Sequence, residues 1–75
     1  MRIYVAGKFE EKERVKKVQD RLREVGHVIT HDWTNEDVAR FPLDGHYRYQ
    51  CAYNDWHGVR TADVLVLLNH PAGFG

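Results

Sequence analysis

Three short stretches of this 75-residue sequence carry side chains that could bind or react with a small molecule. Gly7-Lys8-Phe9 follows an apolar run. Its glycine lets backbone approach a ligand, a helix beginning just beyond it would present N–H groups to an anion, and Lys8 offers a charge to a phosphate or carboxylate. His31-Asp32-Trp33 sets an imidazole beside an indole that can stack on a base or ring, although a tryptophan packed on the surface fits the same residues. The third stretch, Asn69 to Gly75 ("NHPAGFG"), puts Gly73 and Gly75 behind another apolar run. Asp55 is the fourth candidate. It lies one residue from an apolar stripe at helical spacing, so its carboxylate faces either solvent or the edge of a cleft.

Other chemistries find less support. Gly7 belongs to neither a dinucleotide-binding fingerprint nor a phosphate-binding P-loop, and a plain strand-to-helix turn also accounts for it. The histidines, at 27, 31, 46, 57 and 70, offer no i, i+4 pair on a helix, so neither a metal site nor a cofactor is expected. Cys51 is the one cysteine. It excludes an internal disulfide, suits a reducing cytoplasm and reads as a structural thiol.

The elements that would position these residues follow from periodicity. Arg2–Ala6 ("RIYVA") is a β-branched and aromatic run that stops at Gly7, a strand and a turn. From Phe9 to Val25 the apolar residues Val15, Val18, Leu22 and Val25 make one helical stripe, with Glu10 and Glu11 at its start, Arg21 and Arg23 near its end, and Gly26 as the stop. His27–His31 ("HVITH") is a second strand. Asp32–Leu43 is a loop with a helical turn near Glu36–Arg40. Asp44–Thr61 is a second helix with the stripe Tyr49, Ala52, Tyr53, Trp56 and Val59, and Asp63–Leu68 is a third strand, apolar on both faces.

Strand, helix, strand, helix, strand in this rhythm predicts right-handed crossovers and a parallel sheet, and the order 2-1-3 would give a doubly wound α/β fold of the flavodoxin or Rossmann type. Ligands in such sheets bind beyond the carboxyl ends of the strands, which selects the three loops named above. The third strand reads as an interior strand, yet in this sequence it is last. A second copy of the chain or further sequence is therefore expected beside it, and self-association follows as an expectation.

The bulk numbers agree with one small domain. A chain of this size buries only about 60% of the surface it exposes unfolded. Eleven basic and eleven acidic residues give no net charge, so no nucleic-acid polymer and no anionic membrane is implied as partner. The mixed charges of "EEKERVKKVQDRLREVG" read as a solvated helix face, and no stretch approaches the ~20 apolar residues of a membrane span.

The stretches "IYVAGKF", "GHVITH" and "NDWHGVRTADVLVLLNHPAGFG" resemble the nucleoside 2-deoxyribosyltransferase superfamily, with the closer likeness to its 2′-deoxynucleoside 5′-monophosphate N-glycosidases. The most specific element is Asp55 eight residues before Asp63-Val64-Leu65-Val66. The resemblance implies a flavodoxin-like domain that breaks or transfers the N-glycosidic bond of a nucleoside or deoxynucleoside monophosphate. By the same resemblance Tyr4 lines the substrate site, and Asp55 protonates or hydrogen-bonds the departing base. Gly7, Lys8 and Phe9 cradle the sugar or phosphate, and the segment from Gly73 to Gly75 begins the loop after the third strand. The family's nucleophilic glutamate follows that loop, beyond Gly75, so the expectation is an N-terminal portion without it. Glu36 and Asp37 sit in a different loop and are not expected to replace it. The alternative is a non-catalytic nucleotide-binding or self-associating module.

Overall fold

The structure, a computed structural model, describes residues 1–68. Three parallel strands, β1 (Arg2–Ala6), β2 (Val28–Ile29) and β3 (Val64–Leu67), form a sheet in the order β2-β1-β3. Helix α1 (Lys12–Glu24) joins β1 to β2 and helix α2 (Gly45–Thr61) leads into β3. This is the doubly wound flavodoxin- or Rossmann-like arrangement that the element rhythm predicts. Arg2 and Ile3 pair with Val28 and Ile29, while Ile3 to Ala6 pair in register with Val64 to Leu67.

β1 is the centre of the molecule. Ile3, Tyr4 and Val5 are all buried, and side chains alternate across a strand, so one face takes Ile3 and Val5 and the other takes Tyr4. Val5 and Val15 are fully buried, with Val18 and Leu22 of α1 packed against the same cluster. The α1 stripe is therefore the core face up to Leu22, but Val25 is 63% exposed because it has left helical geometry as the C-terminal cap. Gly26 then takes a positive φ of 95°, and the N–H groups of Gly26 and His27 return to the carbonyls of Arg23 and Leu22. The expected helix start at Phe9 is a 3-10 turn, Phe9–Glu11, with the α-helix beginning after it.

Two further expectations need correction. The second strand is shorter than His27–His31, because after the Thr30 N–H to Ile3 carbonyl bond Asp32 opens a 3-10 turn, Trp33–Asn35, by accepting from Thr34 N. The apolar stripe of α2 is not a core face: Tyr49 is 69% exposed, Trp56 57%, and Tyr53 and Val59 are also exposed. The face that packs is the one carrying Cys51 and Gly58, both buried. A Cβ at Gly58 would lie 2.7 Å from His31 Cβ and 3.1 Å from Tyr4 Cδ2, so the helix can sit this close to β1 only without one. The Thr30 hydroxyl fastens the approach by donating to the Gly58 carbonyl at 2.7 Å. Asp44 caps the start of α2 by accepting from Tyr47 N at 3.0 Å, at the boundary expected for it.

Candidate functional site

A cleft of about 400 Å³ opens beyond the carboxyl end of β1, where strand order reverses. Phe9, Trp33 and Phe41 give it aromatic walls, Ala6, Gly7 and Val38 complete the apolar lining, and Tyr4, Glu36 and Asp55 supply the polar groups. Its size and its mixture of many apolar and few polar groups are those of a small-molecule site.

Each polar side chain arrives from a different segment. Tyr4 comes from the middle of β1, on the face covered by α2, and its hydroxyl donates to Asp55 Oδ1 at 3.3 Å. Asp55 lies one turn before Gly58, so the close seating of that glycine on Tyr4 carries the carboxylate to the cleft, not to open solvent. His31 follows β2 and has Nε2 3.0 Å from Glu36 Oε2 and 3.3 Å from Asp55 Oδ1. Glu36 reaches the group because the loop after β2 is pinned inward: the Trp33 indole N–H donates to the Val5 carbonyl at 2.8 Å, and the side chain is buried.

The environment sets the proton affinities. Burial pushes the Tyr4 hydroxyl far up, with the charges of Asp55 and Glu36 adding to the rise, so it remains a donor at any ordinary pH. Burial also raises Glu36, opposed by its hydrogen bond from His31 and reinforced by the negative charge of Asp55. Asp55 is raised by burial, with His31 and Tyr4 pulling the other way. Asp32 shows the opposite balance. Burial works against its charge, but the Thr34 hydroxyl and N–H, with Arg23 and Lys16, hold it below the usual range, which marks it as a turn-forming residue. Burial pushes the Cys51 thiol up, away from a thiolate nucleophile.

Of the residues singled out from sequence, the structure brings Tyr4, Gly7, Phe9, Trp33 and Asp55 to the cleft, with His31 behind it, hydrogen-bonded to Glu36 and 3.3 Å from Asp55. Lys8 stands at the start of the 3-10 turn and is not among the lining residues. Gly73 and Gly75 lie outside the described residues. Glu36, which the sequence placed in a different loop from the family's nucleophile, lines the same cleft as Asp55, because Trp33 folds that loop across the end of β1. Asp37 stays outside the group, capping the turn Val38–Arg40 and donating its N–H to the Tyr47 hydroxyl. Nothing periodic marks Glu36, Val38 or Phe41. The one hint was an acid and apolar residues in a loop already nominated by the strand rule. No family model matches the chain, and no curated protein or solved structure matches it either.

Proposed function

We propose that the cleft binds a nucleoside or deoxynucleoside 5′-monophosphate and acts on its N-glycosidic bond. The observation that supports this reading best is the pair of carboxylates at one wall of an aromatic cleft, both beside one imidazole nitrogen, which is hydrogen-bonded to Glu36 and 3.3 Å from Asp55. Phe9, Trp33 and Phe41 offer faces against which a base can stack. Asp55, whose proton affinity burial raises, suits a general acid that protonates the base as it leaves. The C1′–N bond breaks, its electron pair departs with the base, and the proton from Asp55 neutralises it. Glu36 takes the positive charge that develops on the sugar by bonding to C1′, and water or a second acceptor then displaces it, breaking that C1′–O bond and returning the carboxylate.

The acid spacing bears on the reaction type. The donor oxygens of Glu36 and Asp55 lie within 4.8 Å of each other. That is close to the ~5–5.5 Å of carboxylate pairs in which one member attacks the sugar directly, and short of the ~6.5–9.5 Å that leaves room for an attacking water. A cytoplasmic setting, where free nucleotides and reduced thiols coexist, goes with this reading.

Incubation with deoxynucleoside monophosphates, with free base read by chromatography, tests it. Base release is expected, and Asp55→Asn should lower it by about 100-fold or more. A nucleotide-dependent rise in melting temperature without base release would leave a binding module. Absence of both effects across the four common deoxynucleotides would sink the proposal.

A further inference from the structure

His31, Glu36 and Asp55 come from the end of β2, the following loop and the middle of α2, yet their donor atoms meet within a 4.8 Å span. We propose that His31 Nε2, one Glu36 oxygen and one Asp55 oxygen form a binding site for a divalent first-row transition metal, with zinc as its reference ion.

Geometry supplies the first argument. Ligand atoms held ~2.0–2.2 Å from a shared zinc in tetrahedral array stand roughly 3.4 Å apart. The two edges that meet at His31 measure 3.0 and 3.3 Å. The third edge, between Glu36 and Asp55, lies within 4.8 Å, so closing the set on one ion asks for at most a modest contraction there. The donor set supplies the second. One imidazole nitrogen with two carboxylate oxygens suits zinc, manganese or iron, whereas magnesium and calcium favour oxygen-only shells. Charge supplies the third. The groups that act most on Glu36 are His31, Asp55 and Cys51, and those that act on Asp55 are His31 and Tyr4, so a pair of half-buried acids faces a single imidazole. A dication relieves that repulsion directly.

The surroundings fit a metal centre as well. The Tyr4 hydroxyl on Asp55 Oδ1 is the kind of outer hydrogen bond that orients a ligating carboxylate. Gly58 and Thr30 fix the backbone carrying His31 against α2. Glu36 and Asp55 also line the cleft, which leaves the remaining coordination position open to water or a bound molecule. This site stands whether or not the cleft takes nucleotides. If it does, a metal-ligated Asp55 cannot donate its proton, and zinc would then suppress base release.

The test uses the full chain, stripped with chelator, and zinc chloride alone, with no nucleotide in any arm. Titration calorimetry should show one zinc per chain, magnesium at the same concentrations should give no heat, and cobalt should develop the intense visible absorption of a four-coordinate centre. His31→Ala should weaken zinc by about 100-fold or more, while His57→Ala on the exposed side of α2 should change it less than threefold. Should His31→Ala lose its circular dichroism spectrum, Glu36→Gln decides in its place, with the same loss expected from a near-isosteric change. Zinc binding that survives both substitutions, or zinc no tighter than magnesium, overturns the proposal.

Discussion

At the residue scale, the site is a set of proton affinities imposed by burial. Tyr4 is the fixed donor, and its bond to Asp55 favours the charged carboxylate. Tyr4→Phe removes that bond while keeping the ring under Gly58. The Asp55 carboxyl should then titrate at higher pH than in the parent, as read by carbon NMR of the side chain, and stability should fall by about 1 kcal/mol. An unchanged Asp55 titration would show that the contact does not matter to it. Glu36 gives a second prediction, with a sign that can be worked out. Its folded-state value is raised, so the folded protein holds a proton that the unfolded chain has released, and stability falls as pH rises from the ordinary carboxylate range through the raised value. Glu36→Gln removes that dependence. The variant should therefore gain on the parent in urea unfolding at pH 7 and lose that advantage near about pH 3.5, below the usual carboxylate range. Asp55 was visible in sequence as an acid beside a helical stripe. The partnership with Glu36 was not, because it depends on where one indole N–H finds its acceptor, and the spacing of residues 31, 36 and 55 carries no trace of that.

At the element scale, the two helices differ in how much their sequences disclose. In α1 the large apolar residues and the packed face coincide, so periodicity placed the helix and its glycine stop. In α2 they do not. Its packed face is chosen by what is small, since Gly58 and Cys51 admit β1 and the loop after β2, while Tyr49, Tyr53 and Trp56 are left outside. Pattern reading counts large apolar side chains and has no term for close approach, so it found the helix but not the face that packs. Gly58→Ala isolates that effect. Alanine is the better helix former by about 1 kcal/mol, yet its methyl would meet His31 Cβ at 2.7 Å. Overpacking of this kind typically costs about 1–3 kcal/mol, so the net change should be destabilising, and both zinc binding and base release should fall as α2 is pushed off Tyr4. Helix α1 carries the opposite case. Gln19 is fully buried, and neither its Nε2 nor its Oε1 has a hydrogen-bond partner among the described residues. Gln19→Met keeps the length and removes the unmet polar groups, and should raise stability by about 1–3 kcal/mol in denaturant unfolding.

At the scale of the whole molecule, the sheet order was legible because strand–helix alternation and right-handed crossovers leave few alternatives, but the burial of its third strand was not. A run such as Val64 to Leu67 reads as an interior strand, whereas among the described residues it forms one edge of the sheet. Leu65 and Leu67 pair with Tyr4 and Ala6 and so share the face on which α2 lies, yet they remain 56% and 59% exposed. Trp56 and Val59 of α2 are exposed as well, so apolar surface is left both on the sheet and on the helix. No helix among the described residues is long and apolar enough to cross a membrane. An edge strand with free N–H and C=O groups and apolar side chains is a template for pairing, and a second copy presents the identical edge. The weight-average mass from light scattering should accordingly rise with concentration across the micromolar range. Leu65→Lys with Leu67→Lys places two like charges on each partner at that edge, and should return the mass to the 8.8 kDa of a single chain at every concentration. The double variant should also keep the zinc affinity of the parent, because neither leucine is among the residues that line the cleft. A parent that stays monomeric throughout would mean that the edge is tolerated unpaired.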